Sequence, residues 1–484
     1  MSRAILPTAL LAVTVLVVSA CAQESSDHSL IVTSPGGGGD QPTAPDNLDD
    51  LVTAALEDVQ TFWRDTYPQI YGGPYEEISG GFYPYGPDTE MPPCGPDPIS
   101  YEEIANNAFY CPSDDLVAWD AAQLIPDLAN RFGNFTVGIV FAHEFGHAIQ
   151  ARAGEMNSPT IIMEMQADCF AGAWVRWIAE GNSDSFAVTE SELDSSVAGM
   201  TDIRDLPGTG ADDPLAHGLA FDRVGSFGDG YENGAARCAE YPTDQDLPIV
   251  EIPFSEDEAA TGGNLHLDDN GPDDPGLLSL SVSNLNIFYD LLFEQAGLGT
   301  WQPVEDLEII ESDSDITCDG QDLSGGDYGL ASGYCEDENV AVLGRELTDD
   351  LNGELGDFAV AAEIARLWAR AAQLQLDVDV DQVPASSLQA DCLTGVWASA
   401  SFPIPQDDGT TTTQLYEEAD ETQRQDPGVS LQLSAGDLDE AIQGFLTFGN
   451  QLQEQTGTVF ERSSALRDGF VDGVESCSSF APLG

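Results

Sequence analysis

The chain has 484 residues, enough for two or three domains, and sets 86 acidic against 14 basic side chains, a formal charge of −72. That balance excludes a nucleic-acid partner and an anionic membrane surface as an electrostatic target, since neither is neutralised by it. A hydrophobic content of 42% excludes a wholly disordered acidic chain, and the absence of lysine beside so many carboxylates predicts adaptation to high salt, where ions screen their repulsion.

Residues 1–21 read as a lipoprotein signal peptide. Arg3 is the only charge, and the apolar run from Ala4 to Val18 is too short and one-sided for an ordinary spanning helix. It ends Val18-Ser19-Ala20-Cys21, which resembles the bacterial lipobox. The resemblance implies lipidation of Cys21, export, and anchoring to the outer face of the cell membrane through the N-terminal lipid alone. Residues 22–47, rich in Ser, Pro, Gly and Asp, read as a flexible tether.

In the domain placed at 48–245, residues 136–151 have helical apolar spacing and contain His143-Glu144-Phe145-Gly146-His147. Positions i and i+4 share a helical face, so His143 and His147 can reach one Zn²⁺, with Glu144 placed to act on water as the catalytic base. A second helical stretch carries Glu164 and Asp168, again i and i+4. Glu164 is assigned as third ligand and Asp168 as acceptor for the free ring N–H of a ligand histidine, His143 for preference. The swap, with Asp168 on the metal, is the alternative. One Zn²⁺ per chain is expected.

These residues, with Gln166-Ala167-Asp168-Cys169 through Trp174, then Ala216-His217-Gly218, Asp222-Arg223-Val224 and Gly230-Tyr231, resemble the bacterial family described as putative neutral zinc metallopeptidases, over about 48–240. The resemblance implies a gluzincin-like, mainly helical α+β fold and peptide-bond hydrolysis by a metal-activated water. It places His217 in the family's His-Gly segment as a candidate catalytic donor to the oxyanion, a role open also to Tyr231. Arg223 reads as half of a structural ion pair.

Residues 246–276 read as an acidic linker. Asp268-Asp269-Asn270-Gly271 within them lacks the acid spacing of an EF-hand loop. From 277 to 484 the chain repeats itself. Gln166-Ala167-Asp168-Cys169 recurs as Gln389-Ala390-Asp391-Cys392, an offset of 223, and Gly172, Trp174 and Gln150 meet Gly395, Trp397 and Gln373. Arg223 recurs as Arg462, and Tyr231 becomes Phe470. Two tandem homologous zincin-like domains follow from this, the second lacking the metal site: His143, Glu144, His147 and Glu164 become Arg366, Leu367, Arg370 and Ser387. Asp391 survives and calls for a cation, Arg366 or Arg370.

Eight cysteines besides Cys21 suit an oxidising compartment. The 17-residue separation shared by Cys94/Cys111 and Cys318/Cys335 favours those pairs and leaves Cys169/Cys238 and Cys392/Cys477, although sequence alone does not fix connectivity. The expected activity is a cell-surface zinc endopeptidase acting on a peptide or protein. The alternative is a non-catalytic envelope scaffold with a structural or vestigial zinc site. An intact Glu144, and no obvious fourth ligand to close the site, favour the enzyme.

Overall fold

The computed structural model describes residues 47–204, 218–245, 247–250, 252, 263–311, 316–323, 330–406, 411–448 and 456–482. The signal peptide, Cys21, the tether up to residue 46, much of the linker and His217 lie outside them. The chain divides between Ile249 and Val250 into two compact units, each of helices with small sheets, an α+β architecture. No helix among the described residues is long and apolar enough to cross a membrane.

The N-terminal unit opens with α1 (Leu48–Tyr71). The Asn47 side chain starts it by accepting the backbone N–H groups of Asp49 and Asp50 at 3.0 and 3.1 Å. A sheet follows, made of β1 (Gly81–Tyr85), β2 (Ala108–Cys111) and β3 (Leu116–Asp120), with the one-turn α2 (Tyr101–Ile104) between the first two strands. The order is β1–β3–β2, with β1 parallel and β2 antiparallel to β3. The central strand β3 is buried along its whole length, which its apolar Leu-Val-Ala-Trp run permits. A disulfide, Cys94–Cys111, ties the preceding loop to edge strand β2.

Helices α3 (Leu124–Phe132), α4 (Asn134–Ala153), α5 (Thr160–Ala179), α6 (Glu190–Asp202), α7 (Ala220–Asn233) and α8 (Ala235–Cys238) complete the unit. Missing side chains set two helix contacts. A Cβ on Gly146 of α4 would lie 2.8 Å from Ala167 Cα of α5. Cβ atoms on Gly172 of α5 and Gly230 of α7 would lie 1.9 and 1.8 Å from the Phe227 and Cys169 carbonyl oxygens. Only glycine fits such approaches, so α5 and α7 touch backbone to backbone, and Cys169–Cys238 clamps the same region covalently.

The C-terminal unit begins with α9 (Leu277–Ala296), then β4 (Asp306–Ile310), the small hairpin β5 (Thr317–Cys318) and β6 (Gln321–Asp322), β7 (Ser332–Cys335) and β8 (Val340–Gly344). Its main sheet has order β4–β8–β7, with β4 parallel and β7 antiparallel to β8. Helices α10 (Arg345–Glu354), α11 (Asp357–Gln375), α12 (Ala385–Ala400), α13 (Gln414–Glu418), α14 (Asp437–Phe448) and α15 (Val459–Asp472) follow, with β9 (Ile404–Pro405) and β10 (Thr411–Thr412) pairing before α13. Cβ atoms on Gly395 of α12 and Gly469 of α15 would lie 1.9 and 1.8 Å from the Leu466 and Cys392 carbonyl oxygens. Disulfides join Cys318 to Cys335 and Cys392 to Cys477.

Candidate metal centre

The α4–α5 crossing brings His143, His147 and Glu164 together, each offering a ligand atom within 4.8 Å of the others. Glu164 Oε2 lies 3.3 Å from His143 Nε2, and Oε1 lies 3.5 Å from His147 Nε2. The opposite ring nitrogens are already engaged. His143 Nδ1 is 2.8 Å from Asp168 Oδ1, and His147 Nδ1 is 2.9 Å from Gln150 Oε1. Each Nδ1–H donated to an oxygen leaves an Nε2 lone pair facing the common point.

Glu164 Oε2 is buried and has no well-formed hydrogen bond. An orphaned carboxylate oxygen between two imidazole lone pairs fits a divalent metal bound by two nitrogens and one oxygen, with a fourth position open. Zinc suits this donor set. Without a metal the same groups trap a proton. Burial pulls the His143 imidazole down, yet Asp168 and Glu164 outweigh it and push the group up to about 10. Burial raises Glu164, but His147 and His143 prevail and bring it down to about 2.

Asp168 is buried and doubly held. Arg223 of α7 donates from Nε to Oδ2 at 2.8 Å and from Nη2 to Oδ1 at 2.9 Å. Burial raises the Asp168 carboxyl, but Arg223 and His143 bring it below the usual range. Gln150 is locked too, donating from Nε2 to the Met163 carbonyl at 2.6 Å. Glu144, on the same helix as the histidines, accepts the backbone N–H of Tyr110 on edge strand β2 at Oε2, 2.8 Å away. Its burial raises its proton affinity, against the lowering effect of the two histidines.

Gln150 as partner of His147, Arg223 as partner of Asp168 and the Tyr110 N–H were not assigned from sequence. The recurrence of Gln150 as Gln373 and of Arg223 as Arg462 along the sequence is the available signal; a backbone donor leaves none. The Tyr231 backbone lies where α7 meets Gly172, eight residues or about 12 Å along α5 from Glu164. His217 lies outside the described residues.

In the C-terminal unit, Asp391 is fully buried between two guanidinium groups. Arg462 donates from Nε and Nη2 at 2.9 and 3.2 Å, and Arg366 Nε lies 2.6 Å away. Arg366 also bonds Glu363 and Ser387 Oγ, while Arg370 turns to the Val380 carbonyl. Gln373 donates to the Ser386 carbonyl at 2.6 Å, but its Oε1 is buried without a partner.

No solved structure gives a significant match to the chain. Among curated proteins, the uncharacterized protein YpfJ of Escherichia coli K12 is 30% identical over 150 residues, covering 27% of this chain and 52% of YpfJ. The uncharacterized protein Rv2575 of Mycobacterium tuberculosis H37Rv is 26% identical over 208 residues, covering 38% of this chain and 67% of its own length. The chain thus spans about half the length of the first of these relatives. Residues 9–241 match the family model described as "Putative neutral zinc metallopeptidase".

Proposed function

We propose that the N-terminal unit is a zinc-dependent endopeptidase. One observation carries this reading: two imidazole lone pairs and an orphaned Glu164 oxygen converge beside a buried carboxylate that is not part of the ligand set. His143, His147 and Glu164 would hold the ion, which supplies Lewis acidity toward water and the scissile carbonyl. Glu144 removes a proton from the attacking water. Its Oε2 is pinned by the Tyr110 N–H, which leaves Oε1 to take the proton. Burial strengthens its hold on that proton until the leaving amine collects it. Asp168 and Gln150 keep both rings in one tautomer and orientation. His217 is proposed as oxyanion donor.

We read the C-terminal unit as a degenerate tandem copy without zinc. Supporting this are the equivalent sheet orders, the equivalent disulfides, the Gly172/Gly230 and Gly395/Gly469 contacts, and the Asp168–Arg223 and Asp391–Arg462 pairs. The orphaned Gln373 Oε1 stands where Gln150 accepts an imidazole N–H, as if its partner had been replaced by Arg370. Cys21 would anchor the exported chain by its lipid, with a peptide or protein as substrate and no nucleic-acid partner. The acidic surface suits a saline habitat.

The test is a protease assay in molar salt with zinc analysis. Wild type should cleave peptides, lose activity to a chelator and regain it with zinc. Glu144→Ala should keep zinc and lose cleavage, while His143→Ala, His147→Ala or Glu164→Ala should lose the metal. Full activity in Glu144→Ala would remove the base assignment. One bound zinc without any hydrolysis by wild type would favour the scaffold.

A further inference from the structure

The C-terminal unit holds a second convergence of ligand atoms, away from the position of the lost zinc site. Asp357 opens α11, while Asp437 and Glu440 lie on the first turn of α14. One carboxylate oxygen from each lies within 4.8 Å of the other two, and all three residues are buried. Part of this is ordinary helix capping. Glu440 Oε2 accepts the Phe358 N–H at 2.9 Å, Asp357 Oδ2 accepts the Leu265 N–H at 2.9 Å, and Asp437 accepts the Ser434 N–H and hydroxyl, both at 2.7 Å.

Capping does not account for the rest. Asp357 is 6% exposed, yet its Oδ1 is buried with no hydrogen-bond partner. Among the described residues, no basic side chain lies within ion-pairing distance of Asp357 or Glu440. A buried carboxylate oxygen without a donor is costly, and two like neighbours make it costlier. Burial first, then Asp437 and Asp357, push the Glu440 carboxyl up to about 9. A cavity of about 440 Å³ opens onto Asp357 and Asp437, with room for water. At the offset of 223 the N-terminal unit has Asn134 in place of Asp357, so this is no remnant of a shared site.

We propose that Asp357, Asp437 and Glu440 bind a calcium ion that ties the start of α14 to the start of α11. The donor set is all oxygen, with no imidazole or thiolate, which selects a hard cation over zinc. Calcium accepts carboxylates in irregular geometry and takes its remaining ligands from water, whereas magnesium demands a near-ideal octahedron. The ion supplies the partner that Asp357 Oδ1 lacks. This site is independent of the peptidase reading.

The experiment uses the full chain, saturated with zinc, in molar KCl so that exposed carboxylates are screened. Calcium chloride is titrated calorimetrically and melting temperature followed in parallel. Wild type should take up one calcium per chain and melt higher with it. Asp357→Asn and Glu440→Gln should weaken binding at least about a hundredfold, with zinc content unchanged. A second measurement needs no change to the carboxylates. Terbium added to wild type should luminesce through Trp397, which lines the same cavity, and calcium should quench that signal, as should Trp397→Phe. No stoichiometric calcium uptake, with Glu440→Gln raising the melting temperature in calcium-free buffer, would overturn the proposal and show that the carboxyl groups share a proton. Signals displaced equally well by magnesium would overturn the choice of calcium.

Discussion

Arg223→Met should cost the N-terminal unit more than Arg462→Met costs the C-terminal one. Both arginines are buried and both clasp an aspartate through two hydrogen bonds. Removing Arg223 leaves Asp168 facing only His143. Breaking a buried pair in this way costs about 3–5 kcal/mol. For a unit of this size, with about 2–4 °C per kcal/mol, melting should fall by about 6–20 °C. Asp391 has a second cation, Arg366, at 2.6 Å. Arg462 is moreover held below its usual pKa range by burial and by the like charge of Arg366, so its removal relieves a repulsion. Its loss should cost about half as much, near the 1.5–3 kcal/mol of a hydrogen bond to a charged group. Denaturant unfolding followed by hydrogen exchange reads each unit separately in the full chain. Molar salt should leave both costs nearly intact, because buried pairs are poorly screened. Equal losses in the two units, or a cost that disappears in molar salt, would refute the argument.

Three further outcomes are expected. Without metal, His143 holds its proton up to about 10, against about 6.5 when free. The stability from that raised value is complete below about pH 6.5 and is lost as pH rises through about 10, so chelated protein should melt lower at pH 10 than at pH 7. Zinc binding near pH 8 should release about one proton, read by calorimetry in buffers of different ionisation heat; none released would remove the competition between proton and metal. Gln150→Leu should weaken zinc about 10–100-fold by freeing the His147 ring, measured by chelator competition, and unchanged affinity would deny Gln150 its orienting role. With a net charge of −72, the melting temperature should fall from molar to millimolar salt, and a flat profile would end the saline reading.

What could be read from the amino acids was what is local or repeated. His143 and His147 sit one turn apart on one helix, as do Glu164 and Asp168, so spacing alone puts each pair on one face. The disulfide partners were narrowed by recurrence. The parallel pairing of β1 with β3 was not legible, because it depends on contacts across thirty intervening residues with no periodic signal. The bond from the Tyr110 backbone to Glu144 has no side-chain trace at all. The acidic cluster at Asp357 was hidden for a different reason: among 86 carboxylates nothing in the sequence separates the few that are buried from those facing water.

The fourth residue of the zinc motif is a spacer as much as a bystander. Gly146 lets α4 close on Ala167, and that closeness allows the short Glu164 side chain to meet two imidazoles. At the offset of 223 the C-terminal unit has Ala369 on α11 and Ala390 on α12. One methyl group thus separates a helix pair that can be cinched by an atom from a pair better suited to long, reaching side chains such as Arg366. Reverting Arg366, Leu367, Arg370 and Ser387 to the N-terminal residues should therefore not be enough to recreate a tight zinc site. Adding Ala369→Gly should be what brings the donors into range, and a zinc titration of the two reverted chains would measure how much of a metalloenzyme resides in the distance between its helices.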